Sequence, residues 1–135
     1  MSRLARLGQY IADNEGAIRA GTGLNALVYL PAVSLSGGLF ALFVGATGGW
    51  VAGQLTHRYG PAIRNGAVAG ALGPLVATLI VVLAGLVTRP LLGTDVLFDA
   101  GVRLLGVAPT FVPLFAIQGA VGGLAASWFV TAARR

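Results

Sequence analysis

The chain has no cysteine, no lysine and a single histidine, and only four of its 135 residues are acidic. Without cysteine there is no disulfide, thiolate metal site or thiol nucleophile in either redox compartment. The one histidine, His57, stands beside Arg58 with no Asp or Glu near it, so it lacks metal-ligand spacing and a nucleophile to activate. No charged residue occurs from Ala20 to Thr56 or from Asn65 to Thr88. Ion- and proton-coupled transport normally needs an ionisable group near the bilayer midplane, and these runs offer none. The sequence therefore assigns no catalytic, cofactor-binding or metal-ligating residue. Gly21-Thr22-Gly23 and the later glycine pairs resemble phosphate-binding loops only superficially, since they fall inside apolar segments without the strand, Lys or acidic context such loops require.

What is present is apolar. Hydrophobic residues make up 56% of the chain and charged residues 10%, with a mean hydropathy of +0.85. That leaves too little polar surface to cover a soluble globule of this length. The uncharged run Ala20–Thr56 is 37 residues long, whereas about 20 residues cross a bilayer, so it accommodates two passes joined by a tight turn at Ser36-Gly37-Gly38. The spacing predicts four membrane spans, over about 18–35, 38–56, 65–88 and 107–131. The fold class expected is an all-α membrane protein, a four-transmembrane-helix bundle of two helical hairpins spanning residues 17–135. Pro74 lies inside the third span and should bend it or leave a carbonyl for a neighbour, while Pro109 and Pro113 fall in the first turns of the fourth.

The arginines support this count. Arg3, Arg6, Arg19, Arg58, Arg64, Arg134 and Arg135 fall on one side of the four spans, and only Arg89 and Arg103 on the other. Basic residues in short loops set orientation, so both termini are expected on the cytoplasmic, or virion-interior, side. Residues 1–16 read as an amphipathic interfacial helix, with Leu4, Leu7, Tyr10 and Ile11 at helical spacing. Between the third and fourth spans, Thr94 can cap a second interfacial helix. Leu97, Gly101, Leu104 and Leu105 would share one of its faces, and Asp99 and Arg103 would form a modest exposed pair.

Small residues recur every fourth position: Ala41, Gly45, Gly49 and Gly53 in the second span, Gly66 and Gly70 in the third, Gly119 and Gly123 in the fourth. Such stripes let helix backbones approach closely, and these are the expected helix-packing residues. The segment 39–49 also resembles 114–123, with one residue skipped, consistent with two hairpins related as a parallel repeat. Asn25, Thr47, Thr78 and Gln118 are the neutral polar residues inside the spans, and they read as interhelical glue.

The run Leu24-Asn25-Ala26-Leu27-Val28, then Pro31, Ser34 and Gly37-Gly38, followed by Gly48-Gly49-Trp50-Val51-Ala52-Gly53 and Asn65-Gly66-Ala67-Val68-Ala69-Gly70, resembles a group of small haloarchaeal four-span membrane proteins of uncharacterised function. Size, span number and basic ends are also similar to the small internal membrane protein of haloarchaeal pleomorphic viruses. The resemblance implies an archaeal, halophilic setting and, in the viral case, a place in the virion membrane. The expectation is a non-enzymatic structural protein that packs in and organises a bilayer, with Arg3, Arg6, Arg58, Arg64, Arg134 and Arg135 touching anionic lipid or nucleic acid. Further copies of itself or other membrane proteins are the remaining expected partners. The alternative is a small transporter or channel subunit gated at Pro74.

Overall fold

The computed structural model describes residues 2–36, 41–56 and 58–134. The turn at Gly37-Gly38, His57 and Arg135 lie outside them. Among the described residues five helices follow one another: α1 (Arg3–Asp13), α2 (Glu15–Ser36), α3 (Ala41–Gln54), α4 (Tyr59–Leu92) and α5 (Val96–Ala133). No strand occurs among the described residues.

Local chemistry explains most of the boundaries. The Ser2 hydroxyl accepts the Ala5 N–H at 3.2 Å and caps α1. Asn14 leaves helical geometry (φ −115°, ψ 22°) and separates α1 from α2, whose first turn carries Glu15 where the helix dipole favours an acid. Pro61 is the third residue of α4, a position where its missing N–H has no intrahelical acceptor. Helix α4 ends at Gly93, which is left-handed (φ 64°) and donates its N–H to the Arg89 carbonyl at 3.0 Å.

The outer segment departs from the sequence reading. A short interfacial helix followed by a fourth span over 107–131 is expected, but α5 runs unbroken from Val96 to Ala133, so Pro109 and Pro113 sit deep within it. Each proline removes one hydrogen bond, yet neither provides the left-handed residue that would turn the chain out of a helix. Among the described residues Gly93 alone has positive φ. Tertiary packing continues past the expected break, because Gly85 lies against Phe98 and Gly101 against Val82. The Asp99–Arg103 pair is not formed either: the ion pair at this end is Arg89–Asp95 at 2.6 Å, with the Arg89 guanidinium 5.9 Å over the Phe98 ring.

Neighbouring residues fix the topology. Gly66 meets Gly119 and Gly85 meets Phe98, so α4 and α5 are antiparallel over most of their length. Gly45 meets Phe115, Gly49 meets Gly119 and Gly53 meets Gly123, so α3 and α5 run parallel. On α2, Gly21 faces Ala69 and Asn25 faces Gly73, which makes α2 parallel to α4. Helices α4 and α5, of 34 and 38 residues, are long and apolar enough to cross a membrane. At 1.5 Å per residue they reach about 51 and 57 Å, and α2, with 22 residues, about 33 Å.

Small and polar side chains dominate the interior. Ala52, Ala62, Ala69, Ala77 and Ala126 are fully buried, as are Asn25 and Asn65. One buried cluster joins Ala26, Tyr29, Val44, Ala77 and Phe115, and in it the Tyr29 and Phe115 rings meet edge to face at 5.8 Å. Large apolar residues lie mostly outside: Leu27 is 71% exposed, Phe43 70% and Trp128 65%. The most apolar stretches of α4 and α5 are only 33% and 11% buried, unlike the core helix of a soluble protein.

Candidate functional site

The half of the bundle where all of α2–α5 run side by side is held by backbone contact. A Cβ built on Gly49 would collide with the Gly119 carbonyl, and one on Gly66 with the same carbonyl from the other side. Gly70 faces Phe115 and Gly119, while Gly123 faces Ala62 and Gly66. Thus Gly45, Gly49, Gly53, Gly66, Gly70, Gly119 and Gly123 come together along α5, where α3 and α4 both press against it. The side chain of Ala41 is outside the described ones.

The sequence reading overlooked what the glycine doublets do. Successive helix residues point about 100° apart, so a pair can serve two neighbours. Gly48 lies against Gly21 and Asn25 of α2 while Gly49 lies against α5. Likewise Gly122 meets Ala46 of α3, and Gly123 meets α4. The doublets at 48–49 and 122–123 are visible in the sequence and mark helices with a tight partner on each side.

Two asparagines are built into this region. Asn25, fully buried, donates through Nδ2 to the carbonyls of Ala69 and Gly70, both at 3.3 Å. In an uninterrupted helix the Gly70 carbonyl would accept the N–H of residue 74, and Pro74 has none. Asn65 is the node near the start of α4. Its Oδ1 accepts the Tyr10 hydroxyl at 2.7 Å, and its Nδ2 donates to Thr56 Oγ1 at 2.8 Å and to Asn14 Oδ1 at 3.2 Å. One side chain therefore joins α1, the α1–α2 junction, the end of α3 and the start of α4. Asn65 opens the expected third span, but nothing in one sequence reveals that three distant polar groups converge on it. Burial pushes the Tyr10 phenol above its usual range, and nearby Arg64 partly offsets this.

The same end of the bundle collects basic residues. Arg58 and Arg64 at the start of α4 and Arg134 at the end of α5 are exposed, as are Arg3 and Arg6 on α1. Arg19, near the start of α2, is ion-paired with Glu15. The opposite end holds Arg89, Asp95, Asp99 and Arg103. A hollow of about 410 Å³ of mixed polar and apolar lining opens at the basic end beside Asn14, Leu55, Thr56 and Arg58. In the interior, the space next to Pro74, Tyr29 and Phe111 amounts to about 10 Å³, about the minimum for one water molecule. Thr78 turns its hydroxyl onto the Pro74 carbonyl at 2.7 Å, so it is engaged within its own helix.

Chemically, this arrangement provides close helix contact, buried amide bonds and a cationic end. Among the described residues no three His, Cys, Asp or Glu side chains gather as a metal site would require. No protein-family model, curated protein or solved structure matches the chain.

Proposed function

We propose that the chain is a non-enzymatic structural integral membrane protein that packs in a bilayer and organises it, with a basic face turned to anionic headgroups. One observation carries this reading: the large apolar side chains are outside and the alanines, glycines and asparagines inside. In water that distribution would forfeit most of the hydrophobic stabilisation, whereas in lipid, where apolar surface has no need of burial, helices associate through small residues and interhelical hydrogen bonds. In this reading α2, α3, α4 and α5 each cross the membrane. Both chain ends, with Arg3, Arg6, Arg58, Arg64, Arg134 and Arg135, lie on the cytoplasmic or virion-interior side. The haloarchaeal setting and the virion envelope stay with this proposal as its biological context.

The transporter or channel alternative is less well supported. Its gate would be Pro74, yet Asn25 ties down the carbonyl that Pro74 releases, and the adjoining cavity is about 10 Å³. Two measurements test the proposal, one on membranes that contain the chain and one on purified protein. The chain should resist extraction by alkaline carbonate, and liposomes containing it should show no solute-specific flux. Release by carbonate would refute the membrane assignment, and selective flux would favour the alternative.

A further inference from the structure

Helix α1 buries none of its residues. Leu4 and Leu7 on its apolar side are 81% and 49% exposed, and its hydrogen bonds to the bundle come from Tyr10. Between α1 and α2 runs an open groove of about 520 Å³, walled by Gly8 and Ile11 on one side and Ile18 and Gly23 on the other, with Leu72 of α4 as its floor. A Cβ placed on Gly8 or Gly23 would meet nothing within 4 Å, so the two glycines leave the groove wide.

Thr22 also lines this groove, and its hydroxyl is unusual here. Thr47, Thr56, Thr78, Thr88 and Thr131 each turn the hydroxyl onto a carbonyl three or four residues back in their own helix. The Thr22 Oγ1 is buried and has no hydrogen-bond partner. Polar groups removed from water are normally paired, so this unpaired hydroxyl, covered where it stands, can gain an acceptor by turning about χ1 toward the groove that its residue lines. At the rim stands Arg19, whose ion pair with Glu15 is largely exposed and therefore weakly held.

We propose that this groove holds one acyl chain of an anionic phospholipid. The chain lies on Ile11 and Leu72, an ester or phosphate oxygen accepts from the Thr22 hydroxyl once it has turned toward the groove, and the phosphate takes Arg19 away from Glu15. Charge complementarity selects the anionic lipid: along α1 and the start of α2, Arg3, Arg6 and Arg19 outnumber Asp13 and Glu15, and Arg19 stands at the rim. The inference rests on the membrane reading and adds to it a specific site, with α1 and α2 as two jaws. Glu15 then acts against binding by competing for Arg19, which gives the site a sign that bulk lipid solvation lacks.

The test uses the full chain reconstituted with phosphatidylglycerol and phosphatidylcholine, then extracted into mild detergent and weighed by native mass spectrometry. One phosphatidylglycerol should stay with each chain. A Gly8→Leu/Gly23→Leu double variant, whose added Cβ atoms meet nothing within 4 Å and whose side chains narrow the groove, should retain about tenfold less with an unchanged melting temperature. Arg19→Gln should weaken the preference for phosphatidylglycerol over phosphatidylcholine, and Glu15→Gln should strengthen it. These two surface variants keep the test decisive if the double variant fails to fold. Equal retention in wild type and variants, or no preference between the two lipids, would overturn the site. Flotation of wild type with liposomes separates the two levels. A chain that does not float refutes the membrane reading and this inference together, whereas one that floats but retains no lipid refutes this inference alone.

Discussion

The side-chain amide of Asn25 on α2 donates to the carbonyl of Gly70 on α4, the group that Pro74 leaves without its helical partner. One residue interrupts a helix and another, 49 positions earlier in the sequence, repairs it. The repair is possible because Gly73 and Gly48 have no side chains: a Cβ on either would run into Asn25. An amide, a proline and two glycines thus form one packing unit at the centre of the bundle.

This unit predicts a measurable coupling. Asn25→Ala should destabilise the bundle by about 1–3 kcal/mol, the cost of leaving a buried carbonyl unpaired. Pro74→Ala restores an N–H for Gly70, so the same Asn25→Ala change should cost less in that background. A double-mutant cycle read by thermal or chemical denaturation in detergent checks this, and strict additivity would mean that the contact carries no energy.

Gly49 should tolerate no side chain. Gly49→Leu, and even Gly49→Ala, places atoms on the Gly119 carbonyl, so a loss of about 1–3 kcal/mol or more is expected as the backbones part. Leu79→Ile on the exposed face of α4 should be nearly neutral, as should Gly106→Ala, where an added Cβ meets nothing. Melting temperatures of these variants in one detergent make the comparison.

Tyr10→Phe should loosen α1. The change removes the donor to Asn65 and leaves the α1–bundle contact with little else, so hydrogen exchange in residues 3–13 should speed up while α4 stays protected. Raising the pH should act the same way. Because the folded-state phenol sits above its ordinary 10.0, the tether is intact below pH 10.0 and is lost as the pH climbs through the raised value. The Phe variant should lack that alkaline step.

Arg58→Gln/Arg64→Gln should weaken association with anionic vesicles by about 1 kcal/mol per charge, an effect that salt diminishes. Co-sedimentation across a salt series measures it. Unchanged binding would leave these arginines as determinants of orientation only.

Much of the architecture was legible because long apolar runs and helical periodicity follow simple rules. Apolar runs ended by arginine announce helices, and α1 and α2 lie close to where periodicity and charge put them, whereas α4, expected over 65–88, extends at both ends to Tyr59 and Leu92. The glycines of α3, α4 and α5 are spaced so that their partners could be guessed in kind, though not by name. The outer end was misread because Gly106 and Pro109 look like a boundary. The packing of Gly101 on Val82 keeps α5 helical there, and a tertiary contact of that kind leaves no local signature. For the same reason the convergence of Tyr10, Asn14 and Thr56 on Asn65, and the unengaged hydroxyl of Thr22, emerged only in three dimensions. Asn25 was read as glue between helices, and the structure adds that its target is the carbonyl freed by Pro74.

The crossing of the membrane is tested most directly by single cysteines, since the chain has none of its own to confuse the labelling. Cysteine placed at Ser2, Tyr59 or Thr94 in intact cells is exposed to a reagent that cannot pass the bilayer. The account predicts that position 94 reacts while positions 2 and 59 react only after the membrane is opened. Labelling at position 59 in intact cells would contradict it.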